Sequence, residues 1–260
     1  MLRSMYSGIS GMKGFQTKLD VIGNNISNVN TIGYKKSTIN FQDLLSQNLS
    51  SGGTNPMQIG LGSSMASINV NHNAGSAMST GVGTDLSIMG DGFFVVQDPE
   101  AANGEGQYLT RAGNFTVTAE GNLVTAQGYN VLSSNEQAIN VSGYDSFSIN
   151  RLGEVIGKQA DGTETTIAEI GVSTPENPSG LRKFGGSLYE MTGMASANGL
   201  NIQTASDKNT EIGSGMLEMS NVDLTEEFTE MIIAQRGFQA NSRTITTSDE
   251  LLQEVVNLKR

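Results

Sequence analysis

The C-terminal end of the chain carries an uninterrupted apolar repeat, and this feature constrains the fold more than any other. Leu224, Met231, Phe238, Ile245 and Leu252 recur every seven residues, and no proline interrupts residues 221–260. The stripe is widened by further apolar residues, namely Phe228, Ile232, Leu251, Val255 and Val256. A heptad repeat is typical of a helix that packs in a coiled coil. We therefore predict one helix from Leu224 to Leu258.

Polar residues mark the start and one side of this helix. Asp223 followed by Glu226 resembles a capping box, which favours a helix start at this point. The contact seam of a coiled coil has two positions in each heptad, and the apolar repeat supplies the first of them. Gln235, Ser242 and Asp249 lie four residues after a residue of that repeat, at the second seam position. A two-stranded zipper would need apolar residues there. The sequence instead predicts a helix packed among several neighbours, partly through polar contacts.

The N-terminal end carries a second helical pattern. Apolar residues are spaced by three and four, at Met5, Ile9, Met12, Phe15, Leu19, Ile22, Ile26 and Val29. This spacing predicts an amphipathic helix from about Arg3 to Asn28. Gly8, Gly11 and Gly14 each cost about 1 kcal/mol relative to alanine in a helix, although they permit close approach of a neighbouring helix. A start near Phe15, with the glycines in loops, is the alternative.

The region between the two helices has a different pattern. Phe41, Leu44 and Leu45 suggest a short further helix, and residues 46–64 are rich in Ser, Gly and Asn. From about residue 60 to residue 215, short alternating runs are separated by turns. Ala119–Asn122 is a hairpin-like turn, and Asp161-Gly162 is a strong hairpin signal.

These patterns together predict an α+β fold, with N- and C-terminal helices forming a coiled-coil core domain around an all-β middle domain. The expected divisions are an N-terminal coiled-coil helix (1–35), a linker or loop region (36–65), a β-rich outer domain (66–215) and a C-terminal coiled-coil helix (216–260).

Two thin helices at the ends of one chain bury little surface inside a single molecule. They gain more apolar contact by packing with copies of themselves, so we expect ends that order on assembly. The predicted assembly core consists of the apolar residues on the two stripes: Met5, Ile9, Met12, Leu19, Ile22, Ile26, Leu224, Phe228, Met231, Phe238, Ile245 and Leu252.

Composition excludes several function classes. The net charge of −11 argues against nucleic acid as a partner, because phosphate binding needs clustered Lys and Arg. No apolar run of about 18 residues exists, so no membrane insertion is expected. The N-terminus lacks a continuous apolar stretch, and we therefore expect no cleaved secretory signal. Residues 1–50 contain five basic and two acidic side chains, and residues 221–260 contain four basic and seven acidic ones. These opposite net charges weakly favour pairing of the two ends.

Candidate catalytic and metal-binding residues are few. Asp85, Asp91 and Asp98 are the nearest approach to a carboxylate cluster, and Asp91 lies in a Gly-Asp-Gly turn. The chain has one histidine, His72, and no cysteine, so a zinc site would need carboxylates for its other ligands. No nucleotide-binding glycine motif is complete. We expect no enzymatic activity, no metal and no cofactor.

Three long motifs resemble those of the bacterial flagellar hook and distal rod protein family. They are Leu19-Asp20-Val21-Ile22-Gly23-Asn24-Asn25-Ile26-Ser27-Asn28-Val29-Asn30-Thr31-Ile32-Gly33-Tyr34-Lys35 near the start, Thr84-Asp85-Leu86-Ser87-Ile88 with Gly90-Asp91-Gly92-Phe93-Phe94 and Thr110–Phe115 in the middle, and Ser220–Leu258 at the end. The similarity is nearly end to end and is weakest over about 130–210.

The resemblance implies a helical homopolymer in which terminal helices pair as an inner coiled-coil tube and β domains form an outer layer. It implies a tube that transmits motor torque to the filament and forms the export channel. It also implies adjoining rod, hook-junction and cap proteins and the type III export apparatus as partners, with the flagellum as the location. The opening residues 1–12 and the similarity to short hook proteins of Gram-positive bacteria favour hook over distal rod, although the length suits a rod.

Two other functions stay open on the residues alone. One is a flagellar accessory or adhesin-like β binding module with coiled-coil ends, which would form a small closed oligomer. The other is an enzyme that uses a pair of carboxylates in the β domain, which would show a cleft around a perturbed acid.

Overall fold

The fold was analysed in a computed structural model, which describes residues 2–50, 57–100, 106–197, 199–206 and 210–258. The chain forms two compact units. Unit 1 comprises residues 1–28, 36–71 and 222–260, and unit 2 comprises residues 29–35 and 72–221. Helices at both ends and strands between them confirm the predicted α+β class.

The two terminal helices are present as the sequence predicts. α1 spans Leu2–Ser27 and α2 spans Leu224–Leu258. All three early glycines lie inside α1, so the alternative start near Phe15 is wrong. The carboxylate of Asp223 accepts hydrogen bonds from the backbone N–H of Thr225 at 2.8 Å and of Glu226 at 3.4 Å. These bonds satisfy donors that the first helical turn leaves free, which explains why α2 begins here.

Unit 1 also contains two antiparallel strand pairs, in a region where the sequence suggested a linker and a short helix. β1 (Ser37–Asp43) pairs with β4 (Ser63–Val70), and β2 (Ser46–Ser50) pairs with β3 (Met57–Gly60). The short helix expected around Phe41 is wrong, and residues 36–65 are not simply a loop. The two-residue alternation of Ile39 and Phe41 decided the outcome, because it places them opposite Ile68 and Met65 on β4.

Unit 2 is built from short antiparallel strands. Their bounds are β5 Ala77–Ser79, β6 Leu86–Met89, β7 Phe93–Gln97, β8 Gln107–Thr110, β9 Phe115–Val117, β10 Leu123–Thr125, β11 Asn130–Val131, β12 Ser146–Ile149, β13 Glu154–Lys158, β14 Glu164–Glu169, β15 Val172–Ser173, β16 Arg182–Gly185, β17 Leu188–Glu190, β18 Glu211–Ser214 and β19 Met216–Glu218. Residues Pro178–Gly180 form a 3₁₀ turn between β15 and β16.

The largest sheet of unit 2 has eight strands in the order β16-β17-β8-β7-β11-β10-β9, with β15 also pairing with β7. A three-stranded sheet, β12-β13-β14, and the pairs β18–β6 and β19–β5 complete the unit. The hairpins expected at Ala119–Asn122 and at Asp161-Gly162 join β9 to β10 and β13 to β14, which confirms both.

Strand β7 lies at the centre of unit 2, because both of its faces are covered. Phe94 and Val96 belong to one hydrophobic cluster, and Phe93 and Val95 belong to another. Successive side chains of a strand point to opposite faces, so a continuous apolar run marks a strand buried on both sides. The run Phe93–Val96 in the sequence therefore specifies the middle layer of this unit.

A buried ion cluster joins four segments of unit 2. The Glu218 carboxylate accepts hydrogen bonds from the Lys35 ammonium at 2.5 Å, from Arg111 at 3.1 Å and from the Gly75 backbone N–H at 2.9 Å. All three charged side chains are almost completely buried. Desolvation lowers the pKa of Lys35, and the bond to Glu218 opposes that change. The two cations therefore depend on one carboxylate.

Replacing Glu218 with glutamine tests this dependence. We expect Glu218→Gln to lower the free energy of unfolding by about 3–5 kcal/mol, because two buried cations lose their counter-charge. The matched control is Glu190→Gln, which removes the exposed Arg182–Glu190 pair and should cost about 0–1 kcal/mol. Urea unfolding followed by tyrosine fluorescence suits the comparison, because every tyrosine except Tyr6 lies in unit 2. Equal losses in the two variants would contradict the assignment.

Candidate assembly surface

The two helices of unit 1 pack side by side in antiparallel orientation. Gly8 lies against Thr244 and Ile245 near one end of the pair, and Lys18 contacts Glu230 near the other. Residue numbers thus rise along α1 as they fall along α2. The ends of the chain meet within one molecule, as the sequence predicts.

Glycines bring the two helices close together. A Cβ atom on Gly11 would lie 2.8 Å from the Asn241 side chain, and a Cβ on Gly237 would lie 2.5 Å from the Phe15 ring. Contacts this short do not occur between real side chains, so each position accepts glycine alone unless the neighbour moves. Gly8 and Gly11 are therefore contact points between α1 and α2, whereas Gly14 lies against the Phe41 ring of β1.

The second position of the α2 seam lies three residues after the heptad positions, and not four as the sequence analysis assumed. The buried residues of α2 are Glu227, Ala234 and Ser248, whereas Gln235 and Asp249 are exposed. Small side chains on this face permit the close approach that the α1 glycines require. The prediction that Gln235 and Asp249 lie in the contact between the helices is therefore wrong, because the buried face of α2 is offset from them by one residue.

One amide side chain holds three elements of unit 1 together. Asn25 of α1 accepts a hydrogen bond from the Ser37 N–H at 3.0 Å and donates to the Ser37 carbonyl at 2.9 Å. It also donates to the Glu227 carboxylate of α2 at 3.2 Å. Asn25 therefore acts as a backbone partner for the first residue of β1 while it contacts α2. Glu227 is 5% exposed, and burial raises the pKa of its carboxyl, against the effect of the Asn25 bond.

Charged residues surround this polar junction. Lys18 pairs with Glu230, and Lys36 pairs with Glu226 at 2.7 Å. They border a cavity of about 190 Å³ in unit 1, whose wall also includes Asn25. Because these pairs are partly solvent-exposed, each contributes little stability by itself. Their effect is to orient the first turn of α2 against α1 and β1.

Most of the predicted assembly-core residues keep part or much of their side chain exposed in unit 1. Ile22 is 4% exposed and is buried in unit 1. Seven others are half-buried, namely Met5, Met12, Leu19, Ile26, Met231, Ile245 and Leu252. The remaining four are exposed, namely Ile9, Leu224, Phe228 and Phe238.

Further apolar residues of the helices add to this exposed surface. Tyr6 on α1 and Ile232 on α2 are 70% and 59% exposed. Others on α2 are also exposed, namely Ile233, Leu251, Val255, Val256 and Leu258. Exposed apolar surface of this extent on a folded unit is typical of an interaction site. We call these residues, with Ile9, Leu224, Phe228 and Phe238, the apolar helix surface.

Sequence reasoning missed the residues that make the contacts within the molecule. Asn25 and Glu227 are buried polar residues at seam positions, and Gly8, Gly11 and Gly237 are the points of closest approach. Their signal was present as a second periodic set of small and polar residues, one position away from each apolar stripe. Apolar periodicity alone does not reveal this second set.

Neither a membrane span nor a metal centre is found in the part of the chain that the structure describes. None of its helices is both long and apolar enough to cross a membrane. Among the same residues, no three His, Asp or Glu side chains come together as metal ligands would.

Paired terminal helices with exposed apolar surface, together with a β-rich unit, define an α+β structural protein with an interaction surface on its helical ends. Three family models match in order along the chain: "Flagella basal body rod protein" over residues 5–35, "Flagellar hook protein FlgE/F/G D1 domain" over 87–157, and "Flagellar basal body rod FlgEFG protein C-terminal" over 214–258.

Individual relatives extend this similarity to the whole chain. Flagellar basal-body rod protein FlgG of Bacillus subtilis (strain 168) is 51% identical over 270 residues, covering 100% of both chains. FlgG of Agrobacterium fabrum is 36% identical and covers 99% of this chain and 100% of its own. Flagellar hook protein FlgE of Borreliella burgdorferi is 27% identical over 447 residues, covering 100% of both. The chain therefore belongs to the family of flagellar basal-body rod and hook proteins.

Two glycine substitutions separate the contact role of the seam from helix propensity. Gly237→Ala places a methyl group against the Phe15 ring, and we expect a loss of about 1–3 kcal/mol in helix-pair stability through overpacking. In contrast, a Cβ on Gly23 of α1 meets no atom within 4 Å, so Gly23→Ala should stabilise α1 by about 0.5–1 kcal/mol.

Hydrogen exchange of α1 and α2 amides measures both effects in the full chain. Exchange should become faster along both helices in Gly237→Ala and slower along α1 in Gly23→Ala. If both variants slow exchange alike, the helix propensity of alanine outweighs the clash with the Phe15 ring. The assignment of Gly237 as a packing position would then be wrong.

Proposed function

We propose that this chain is a structural axial subunit of the bacterial flagellum that polymerises into a helical tube and has no enzymatic role. The observation that supports this most is the division of the helix surfaces. The α1–α2 pair buries glycine, alanine and polar side chains, while much of its apolar surface stays exposed. Apolar area left on a folded unit gains free energy when other copies cover it.

Head-to-tail contact between copies produces the proposed polymer. When one patch meets a different patch of the next copy and the rotation does not close, the product is an open helical filament. The helix pairs would then form the inner wall of a tube, which transmits motor torque and encloses the export channel. The proposed partners are this chain itself, adjoining rod, hook-junction and cap proteins, and the type III export apparatus.

Within this family we propose a distal rod subunit over the hook that the opening residues favoured. The relatives reported above with the higher identities and full coverage at similar length are named rod proteins. The hook protein of Borreliella burgdorferi aligns over 447 residues at 27% identity, which requires long insertions. Expression in Bacillus subtilis strains lacking either FlgG or the hook protein tests the choice. Restored motility in the first strain alone is expected, and restoration of the second alone would favour the hook.

A charge on the apolar helix surface tests the polymerisation proposal. Phe228 is 49% exposed on α2, and we expect Phe228→Glu to raise the concentration needed for tube formation at least tenfold, because a carboxylate would have to be desolvated in the contact. The control, Leu152→Glu, places the same charge on an equally exposed apolar residue of unit 2 and should leave that concentration unchanged.

Sedimentation with light scattering, followed by electron microscopy of the pellets, measures the two variants beside the unaltered chain. Circular dichroism confirms that each variant is folded. Equal polymerisation of both variants would remove the apolar helix surface from the proposed contact. A closed dimer or trimer of the unaltered chain at all concentrations would contradict the axial role and favour an accessory binding module.

A further inference from the structure

Unit 2 contains a second candidate site, a polar cavity of about 330 Å³. His72, Phe93, Arg111 and Thr174 contribute to its wall, together with the carboxylate residues Asp91 and Glu176. A water molecule occupies on the order of 30 Å³ in the liquid, so the cavity has room for a small ion with several waters. None of these residues belongs to the apolar helix surface.

Three buried polar atoms on residues of this wall have no hydrogen-bond partner among the described protein atoms. They are Nδ1 of His72, Nε of Arg111 and Oγ1 of Thr174. Arg111 is only 2% exposed, and its other nitrogens are already engaged by Glu218 at 3.1 Å and by the Gly90 carbonyl at 2.8 Å. Buried polar atoms in native proteins are nearly always paired, so three of them around one cavity indicate a polar guest.

The geometry of the wall defines what that guest must accept. The Arg111 guanidinium lies 5.3 Å from the centre of the Phe93 ring, which limits its movement. Its Nε–H can only donate, and the Thr174 hydroxyl can donate as well. His72 packs edge-on against Phe93 and Tyr189 and hydrogen-bonds to the Pro178 carbonyl. Nδ1 of His72 has no hydrogen-bond partner among the described atoms, and it becomes a donor when the ring is protonated.

The charges around His72 favour a negative guest. Burial first, and then the positive charges of Lys35, Arg111 and Lys183, lower the pKa of His72 to about 4. The opposing charges are the buried Glu218 carboxylate, which is bound to Lys35 and Arg111, and Asp91 and Glu176 on the cavity wall. Asp91 and Glu176 are exposed, so water and salt screen them more than they screen Arg111.

We propose that this cavity binds one small oxyanion of the sulfate or phosphate class, held by the Arg111 Nε–H and the Thr174 hydroxyl. The bound negative charge favours the imidazolium form of His72, whose Nδ1–H then becomes a third donor. Anion binding and protonation of His72 are therefore coupled, and each strengthens the other. This inference does not depend on polymerisation, since all of its residues lie in unit 2.

The lone histidine gives the experiment a single signal. The ring resonances of His72 in the full chain are followed by NMR from pH 3.5 to 7.5, once in sodium chloride and once in sodium sulfate at equal ionic strength. We expect a midpoint near 4 in chloride and a midpoint at least one unit higher in saturating sulfate, which corresponds to about tenfold coupling. The same midpoint in both salts would overturn the proposal and assign the cavity to water.

Stability provides a second readout with a defined sign. The pKa of His72 in the folded chain lies below its ordinary value of 6.5, so the folded state takes up fewer protons than the unfolded state between these values. Stability is therefore lost in chloride as the pH falls from about 6.5 towards 4. Sulfate should reduce that loss of stability. The substitution His72→Gln should remove the part of the pH dependence that comes from His72, in both salts. A sulfate effect that is unchanged in His72→Gln would contradict the coupling.

Two substitutions distinguish a built site from general attraction to positive charge. Thr174→Val removes one donor and should weaken sulfate binding severalfold, with little change of the His72 midpoint in chloride. Asp91→Asn removes an opposing charge and should strengthen binding. Thr163→Val, on the exposed β13–β14 turn, is the matched control and should have no effect. If sulfate shifts the midpoint equally in Thr174→Val and in the unaltered chain, the ion does not use this site.

Discussion

The hydrogen bonds of Asn25 are the interaction on which the rest of unit 1 depends. A single amide engages both backbone groups of Ser37 and reaches Glu227, so it fixes where β1 leaves α1 and where α2 begins to pack. If Asn25 were apolar, the buried Glu227 carboxylate would lose a hydrogen bond, and such a loss costs about 1–3 kcal/mol. The amide therefore specifies one alignment of the helices, which glycine contacts alone would fix less firmly.

The two helices use one face for contacts with each other and leave apolar residues exposed on another. Gly11 and Gly237 permit close backbone approach, and polar residues give the pair its register. Phe15 and Ile245 pack between the helices, whereas apolar side chains such as Phe228 stay exposed, and the proposed polymer would cover them. A helix pair that used its best apolar residues internally would be more stable as a monomer, but it would offer little for association.

The sequence predicted both helices, the β-rich middle and two hairpins, because those elements follow from local periodicity and turn chemistry. Leu224 to Leu258 was found with its cap for this reason. The strands β1 to β3 were not predicted, since Ile39 and Phe41 of β1 need Ile68 and Met65 as cross-strand partners and only tertiary structure supplies them. The seam residues Glu227 and Ala234 and the cluster around Glu218 were missed for the same reason. Their roles arise from segments that are distant in the chain.

The order of segments in unit 1 has a consequence for how the chain acquires its structure. Unit 2 ends at residue 221, so every residue it requires has been synthesised before α2 begins. Unit 1 combines residues 1–28 and 36–71 with residues 222–260, so it cannot form before α2 has been synthesised. Throughout synthesis, the apolar stripe of α1 therefore has no helical partner from its own molecule. That interval lasts for as long as the segment between the two helices takes to be synthesised, at roughly 5–20 residues per second.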